Sequence, residues 1–132
     1  MKHFKELSAN VPNYTAPIAL LESPRAMRNR YRLAWLRDME QGRYRQIRYH
    51  LIEATNSGRF MVCALGAAAL TAGFSPSELE DDDGNNNNAD PICDFYAIKN
   101  ASGIIAMNDS DGYSLPKIAG FIRDQWNWFF YD

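Results

Sequence analysis

Phe60-Met61-Val62-Cys63-Ala64-Leu65-Gly66-Ala67-Ala68-Ala69-Leu70-Thr71-Ala72-Gly73 is the stretch of sequence that decides the fold of this chain. Its composition changes at Cys63 from β-favouring side chains to Ala and Leu, the strongest helix formers, so it predicts a helix over 63–72. Gly73 is placed to end that helix, because glycine readily adopts the left-handed conformation of a C-terminal cap. Since the alanines are small, we expect this helix to lie at the centre of the fold, closely packed.

The segment before this helix predicts a small β-hairpin. Residues 44–52 are rich in aromatic and β-branched side chains, and Asn56-Ser57-Gly58 follows as a turn signal. We therefore expect one strand over 44–52 and an antiparallel return strand over 59–62.

Helix start signals account for most of the remaining chain. Ser23-Pro24 begins a helix whose apolar positions recur every four residues and which Gly42 ends. Similar signals predict further helices, beginning near Ser75-Pro76, Asp90-Pro91, Ser102 and Ser114, the last continuing to about Phe129. Residues 1–23 are expected to form an irregular lead-in, and residues 80–89 a solvated polar loop. The predicted fold class is α+β: a mostly helical single domain over 1–132, with a small β-hairpin and a central Ala-rich helix.

Composition narrows the class of protein. The chain has 132 residues, of which 46% are hydrophobic and 23% charged, the values of an ordinary globular domain. No apolar run approaches the roughly 20 residues that span a bilayer, so we expect no membrane association and a cytoplasmic location. Two cysteines are too few for a disulfide framework, so both are expected to be reduced thiols.

No metal or cofactor is predicted. The acidic loops at 108–112 and 81–84 resemble calcium-binding loops in composition. When each is aligned with the EF-hand pattern by its glycine, Met107 and Leu79 fall at the first ligand position, and neither supplies an oxygen.

Charge is distributed unevenly along the chain. Residues 1–60 carry eleven Lys or Arg against five Asp or Glu, whereas residues 61–132 carry three against eleven. Arginine forms bidentate contacts with carboxylate and phosphate, so the basic half is a candidate surface for an anionic partner, a nucleic acid or a nucleotide. The candidate residues are Arg28, Arg32, Arg43 and Arg45. The alternative is that these arginines lie on the solvent face of a helix and pair with the acidic half.

Four landmarks of the sequence resemble a family of small uncharacterised proteins of phages and prophages. The pattern of that family runs Trp, a spacer, Gly-x-Tyr-x-Gln, then Cys-x-Leu-Gly, then Leu-Asn-Asp and Ser-Phe-x-x-Ile-Ala. This chain matches it in order over about residues 33–123, with Trp35, Gly42 to Gln46, Cys63 to Gly66, Met107 to Asp109 and Ser114 to Ala119. Val62 stands where a second Cys is frequent, and Met107 and Leu115 replace Leu and Phe. The resemblance implies a phage or prophage origin and assigns no activity.

Cys63 is the residue around which a catalytic hypothesis can be built. A thiol at the first turn of a helix lies near unpaired N–H groups and the positive end of the helix dipole, which favour the thiolate. His50 is the candidate base, Asn108 or Asp109 the orienting group, and Gln46 an oxyanion donor. The alternative, which we favour, is that Cys63 packs in the core, because free cysteine is among the most buried residue types.

The C-terminus is unusually aromatic. Residues 126–131 run Trp-Asn-Trp-Phe-Phe-Tyr, and Trp126 and Phe129 continue the apolar stripe of the last helix. Trp128 and Phe130 are then expected to project from the core as anchors for a partner or for a second copy of the chain.

These patterns favour a non-enzymatic phage or prophage accessory protein that binds a host protein in the host cytoplasm, as a modulator of defence or takeover. The alternatives are a cysteine-dependent hydrolase or transferase using Cys63, and arginine-mediated binding of nucleic acid or a nucleotide.

Overall fold

The computed structural model describes residues 22–132, and the predicted lead-in over 1–23 lies almost wholly outside them. The helices are α1 (Pro24–Glu40), α2 (Ala64–Ala72), α3 (Asp90–Tyr96), α4 (Ala101–Asn108), α5 (Leu115–Asp124) and α6 (Trp126–Phe129), with a 3-10 helix at Pro76–Leu79. The strands are β1 (Arg45–Gln46), β2 (Ile52–Ala54) and β3 (Phe60–Val62). The predicted mostly helical α+β class is confirmed.

Helix α2 is the centre of the fold, as its composition predicts. Residues 64–69 are all buried, and α1, α3 and α4 pack against this helix. Two aromatic side chains fix its position: Trp35 Nε1 donates a hydrogen bond to the Ala64 carbonyl at 2.9 Å, and the Tyr96 hydroxyl donates to the Ala68 carbonyl at 2.6 Å. Alanine makes this arrangement feasible, because a methyl side chain lets large rings approach the helix backbone.

Local start signals work as predicted. The side chains of Ser23 and Ser114 accept hydrogen bonds from the N–H groups three residues later, and each is followed by a proline in the first turn. Gly73 ends α2 with φ of 85°, a left-handed conformation that glycine adopts without a steric penalty.

The prediction of a single strand over 44–52 is wrong. β2 and β3 form the expected antiparallel hairpin, but β1 pairs in parallel with the other edge of β3, which gives the strand order β1-β3-β2. Between the two segments the chain reverses direction at Tyr49, whose φ is 67°. Strand propensity cannot reveal such a break, because both halves of the segment favour β structure.

The prediction of one continuous helix from Ser114 to Phe129 is also wrong. Gln125 leaves the helical conformation with φ of −117° and ψ of 39°, and separates α5 from α6. The chain then pairs with the segment that follows α3, where Phe130 forms an antiparallel bridge with Ile98. This bridge, which lies outside any helix, helps to hold the C-terminus.

Residues 80–89 contain no helix or strand, as expected of the polar loop. The loop has internal order, since Asp81 Oδ1 accepts hydrogen bonds from the N–H groups of Asp83 and Asn85 at 3.0 and 2.9 Å. Asn87 also accepts from the Leu51 N–H at 3.1 Å, so the loop contacts the segment that joins β1 to β2.

Candidate functional site

Asn108 is the centre of a buried hydrogen-bond network. Its side chain, only 1% exposed, ends α4 beside the N-terminus of α2. Asn108 Oδ1 accepts from the Ala64 N–H at 3.1 Å and from Gln46 Nε2 at 2.9 Å. Asn108 Nδ2 donates to the Ile47 carbonyl at 2.9 Å and to Asp109 Oδ1 at 2.8 Å. One amide therefore joins β1, α2 and α4.

The glycine of the Cys-x-Leu-Gly landmark has a steric role at the same place. A Cβ atom on Gly66 would lie 1.9 Å from the Leu51 carbonyl oxygen, a distance at which two atoms overlap. The Leu51 carbonyl also accepts from the Cys63 N–H at 3.0 Å. The close approach of this segment to α2 thus requires glycine at position 66.

These contacts give the four landmarks of the sequence a common location. Trp35, Gln46, the segment 63–66 and Asn108 are distant in sequence and meet around the first turn of α2. Each contact satisfies a backbone group or a buried amide. The landmark residues therefore hold α1, β1 and α4 against the first turn of α2.

Cys63 and His50 do line one cleft, of about 220 Å³, together with Asp109. Cys63 is buried, and its Sγ accepts a hydrogen bond from the Gly66 N–H at 3.4 Å, which caps α2. Burial raises the pKa of this thiol to about 11, and this outweighs the lowering by the backbone N–H groups at the helix end. The expected stabilisation of a thiolate is therefore absent in this conformation.

The proposed partners of the thiol have other roles. Gln46 Nε2 donates to Asn108 Oδ1 and to the Tyr113 carbonyl, so both of its protons are engaged and neither is directed at an oxyanion. Asp109 Oδ1 accepts from the Tyr49 N–H at 2.9 Å and holds the reversed backbone there. Within residues 22–132 the exposed His50 side chain makes no hydrogen bond, so nothing orients it towards Cys63.

The four candidate arginines separate into two pairs. Arg32 is 2% exposed, so its expected place on a binding face is wrong. Its guanidinium donates to the Tyr96 carbonyl at 2.8 Å and to the Tyr131 carbonyl at 2.7 Å, and lies 4.3 Å from the centroid of the Phe130 ring. Arg28 donates to the Asp132 backbone oxygen. Both residues hold the C-terminal segment against α1.

The aromatic C-terminus is only partly as expected. Phe130 is 3% exposed and packs against Trp35 and Trp126, so its expected exposure is wrong. Its burial follows from the bridge to Ile98, which turns the ring into the core. Trp128 is 64% exposed, as predicted, and Tyr131 is exposed beside it in sequence.

Arg43 and Arg45 line a larger cleft, of about 540 Å³, and Arg59 joins them there. We call it the arginine cleft. The parallel register pairs Arg45 with Met61. Arg43, two residues before Arg45, lines the same cleft as Arg59, two residues before Met61. Parallel pairing therefore gathers guanidinium groups from two segments 14 or more positions apart in sequence.

Aromatic rings and hydroxyl groups complete the lining of the arginine cleft. Tyr44, just before β1, and Phe60, the first residue of β3, both line the cleft. Phe60 is 37% exposed, whereas the Tyr44 hydroxyl lies 3.2 Å from Thr71 Oγ1. Thr55 and Ser57 contribute hydroxyl groups from the β2-β3 turn.

The electrostatics of this cleft are positive. Among the described residues, none of the side chains that line it is acidic. Arg43 pairs with Asp38 at 2.9 Å and so is partly neutralised. In the described part of the chain, the guanidinium groups of Arg45 and Arg59 form no ion pair or side-chain hydrogen bond, and both residues are exposed. Two arginines therefore remain available to an anion.

Sequence reasoning missed Arg59, Tyr44 and Phe60 as members of a site. The sequence places Arg59 only in the return strand of the hairpin and does not group it with the candidate arginines. The alternation Arg43-Tyr44-Arg45 beside Arg59-Phe60 is the signal that points to the cleft, but it has meaning only once β1 and β3 are known to pair in parallel.

Comparison with protein-family models, with curated proteins and with solved structures gives no match for this chain. In residues 22–132 no helix is long and apolar enough to cross a bilayer, and no group of three His, Cys, Asp or Glu side chains is placed to hold a metal ion.

Proposed function

We propose that this protein is a non-enzymatic binding protein that holds a phosphate-bearing ligand in the arginine cleft. The observation that carries the proposal is the joining of Arg43, Arg45 and Arg59 in one cleft whose lining has no carboxylate. Arginine is suited to phosphate because its planar guanidinium presents paired N–H donors to two oxygens.

The resemblance of the sequence landmarks supports a phage or prophage origin, and a role as an accessory protein in the host cytoplasm is part of this proposal. In this proposal the landmarks build the fold, while the arginine cleft provides the contact with the ligand. The cysteine-dependent alternative has weaker support, because Cys63 is buried, caps a helix and has a raised pKa.

Calorimetric titration with inorganic tripolyphosphate, at low and moderate salt, tests the proposed function. We expect binding that weakens as salt is added, because phosphate contacts release counterions. The double variant Arg45→Ala/Arg59→Ala should lose most of the affinity, since each charged hydrogen bond contributes about 1.5–3 kcal/mol.

The matched control is Arg25→Ala/Arg37→Ala, which removes the same charge from exposed positions of α1 outside the cleft. It should bind tripolyphosphate nearly as the unchanged protein does. Equal losses in the two double variants would mean that only overall charge matters, and absence of binding by the unchanged protein would refute the proposal.

A second candidate function is binding of a host protein, or of a second copy of the chain, through Trp128 and Tyr131. Their side chains are 64% and 60% exposed, and exposed aromatic residues are frequent interface anchors. Trp128→Ala should reduce partner recovery from host lysate, and any self-association seen by light scattering, without lowering the melting temperature. Unchanged recovery and unchanged association state would exclude this surface.

A further inference from the structure

The arginine cleft offers more than positive charge. Rings and hydroxyl groups lie in the same space as the guanidinium groups, and inorganic phosphate would leave these groups without a partner. We propose that the ligand of the cleft is a free nucleoside triphosphate or diphosphate, with its phosphates on Arg45 and Arg59 and its base stacked on Phe60. This inference rests on the proposed function and specifies its ligand.

The size of the cleft fits a single small molecule. Its volume of about 540 Å³ lies within the roughly 300–1,000 Å³ typical of small-molecule pockets. A lone phosphate would occupy a small part of this volume. A nucleotide extends from the guanidinium groups to the ring and fills more of the cleft.

Phe60 provides the stacking surface. It is the first residue of β3, so the strand fixes its backbone, and the residue is 37% exposed and lines the cleft. An apolar ring beside arginines gives a base a face to stack on, which in single-stranded complexes contributes about 1–3 kcal/mol per base. The other ring, of Tyr44, lies with its centroid 5.3 Å from the Arg43 guanidinium carbon. Arg43 also pairs with Asp38, so Arg45 and Arg59 are left as the phosphate ligands.

The hydroxyl groups of the cleft favour contact with the sugar or the base. Thr55 Oγ1 donates its proton to the Arg59 carbonyl at 2.9 Å, and Ser57 Oγ lies 3.0 Å from Thr55 Oγ1. Since the proton of Thr55 is already engaged, Ser57 is the donor of that second bond. Both oxygens then remain as acceptors, which suit a sugar hydroxyl or a base amino group and not a phosphate.

Three of the remaining arginines are engaged away from the cleft. Arg30 pairs with Glu22 at 2.8 Å and Arg123 with Glu40 at 2.6 Å, while Arg32 is buried. A strand requires a groove of positive charge that follows successive phosphates. The cleft gathers three arginines in one pocket of small-molecule size, which favours a free nucleotide.

Calorimetric titration of the full chain with adenosine triphosphate, tripolyphosphate and a ten-residue oligothymidylate, under one salt condition, tests the inference. We expect adenosine triphosphate to bind about 5- to 150-fold more tightly than tripolyphosphate, because stacking of the base contributes to binding. Phe60→Leu should abolish this preference and leave the affinity for tripolyphosphate unchanged, because leucine keeps the apolar volume without the ring.

The arginine variants test the phosphate contacts separately from the base stacking on Phe60. Arg45→Ala and Arg59→Ala should each weaken both triphosphates about tenfold or more, and Arg25→Ala should weaken neither. Far-UV circular dichroism and the melting temperature establish that each variant is folded.

Each contrary result has a distinct meaning. Equal affinities for adenosine triphosphate and tripolyphosphate would overturn the stacking inference and leave the phosphate-binding function intact. Tighter binding of the oligothymidylate than of the nucleotide would overturn the assignment of a free nucleotide. Binding of none of the three ligands would overturn the proposed function itself.

Discussion

Replacing Asn108 by alanine tests whether the network around α2 stabilises the fold. The variant removes the side chain that forms hydrogen bonds with two backbone groups, the Ala64 N–H and the Ile47 carbonyl. The Ala64 N–H lies in the first turn of α2, where the helix itself offers no acceptor. A buried polar group left without a partner costs about 1–3 kcal/mol, so the two together predict a loss of about 2–6 kcal/mol in the free energy of unfolding.

Urea denaturation followed by circular dichroism measures this loss. With a urea dependence of about 2 kcal/mol per molar, a loss of about 4 kcal/mol moves the midpoint by about 2 M. Asn108→Asp is a useful second variant, because it keeps the acceptor oxygen but replaces the amide donor with a charged oxygen facing Asp109. At neutral pH it should be at least as destabilising as Asn108→Ala.

Asn85→Ala is the matched control. Asn85 is exposed in the polar loop, and removing an exposed side chain of this kind changes stability by about 0.5 kcal/mol or less. A loss below about 1 kcal/mol in Asn108→Ala would refute the reasoning, because it would mean that the two backbone groups find other partners or do not need them.

Three further predictions follow from burial and close contact. Gly66→Ala should destabilise the protein by about 1–3 kcal/mol, whereas Gly120→Ala, with nothing within 4 Å of the added Cβ, should be neutral or stabilising in the same urea assay. Equal effects would contradict the steric role of Gly66. Burial raises the pKa of Cys63 from 9.0 to about 11. The protonated thiol therefore stabilises the folded state fully below about pH 9, and this stabilisation falls by up to about 3 kcal/mol as the pH rises towards 11. Unfolding measured at about pH 8.5 and about pH 11 should show a smaller fall for Cys63→Ala, and an identical fall would count against a buried thiol. Arg32→Lys should cost about 2–4 kcal/mol, because lysine lacks the fork that reaches two carbonyl groups, while Arg25→Lys at an exposed position should cost almost nothing. Similar melting temperatures for the two variants would argue against that role.

The parts of the fold that depend on neighbours in sequence were predictable. Ser23 and Ser114 bind N–H groups three residues away, and Gly73 ends α2 through its own backbone conformation. The burial of α2 was equally predictable, since an Ala- and Leu-rich helix has no polar face to expose. Such signals need no knowledge of the rest of the chain.

The candidate site was predictable only in fragments. Cys63 and His50 were expected near one another, and they line one cleft. Arg43 and Arg45 were expected at a binding surface and line the arginine cleft, but Arg59 and Phe60 were not placed beside them. Arg32 and Arg45 are the same residue type, and nothing local distinguishes the buried one from the exposed one.

The sequence by itself determined the α+β class, the central helix and the ends of most helices, because caps, turns and helix propensity act over three or four residues. Tertiary structure alone decided the parallel pairing of β1 with β3, the burial of Arg32 and the role of Asn108. The physical reason is sequence distance. Arg32 donates hydrogen bonds to carbonyl groups 64 and 99 residues away, and Asn108 binds groups 44 and 61 residues away. These groups come within hydrogen-bond distance only after the chain has folded around α2.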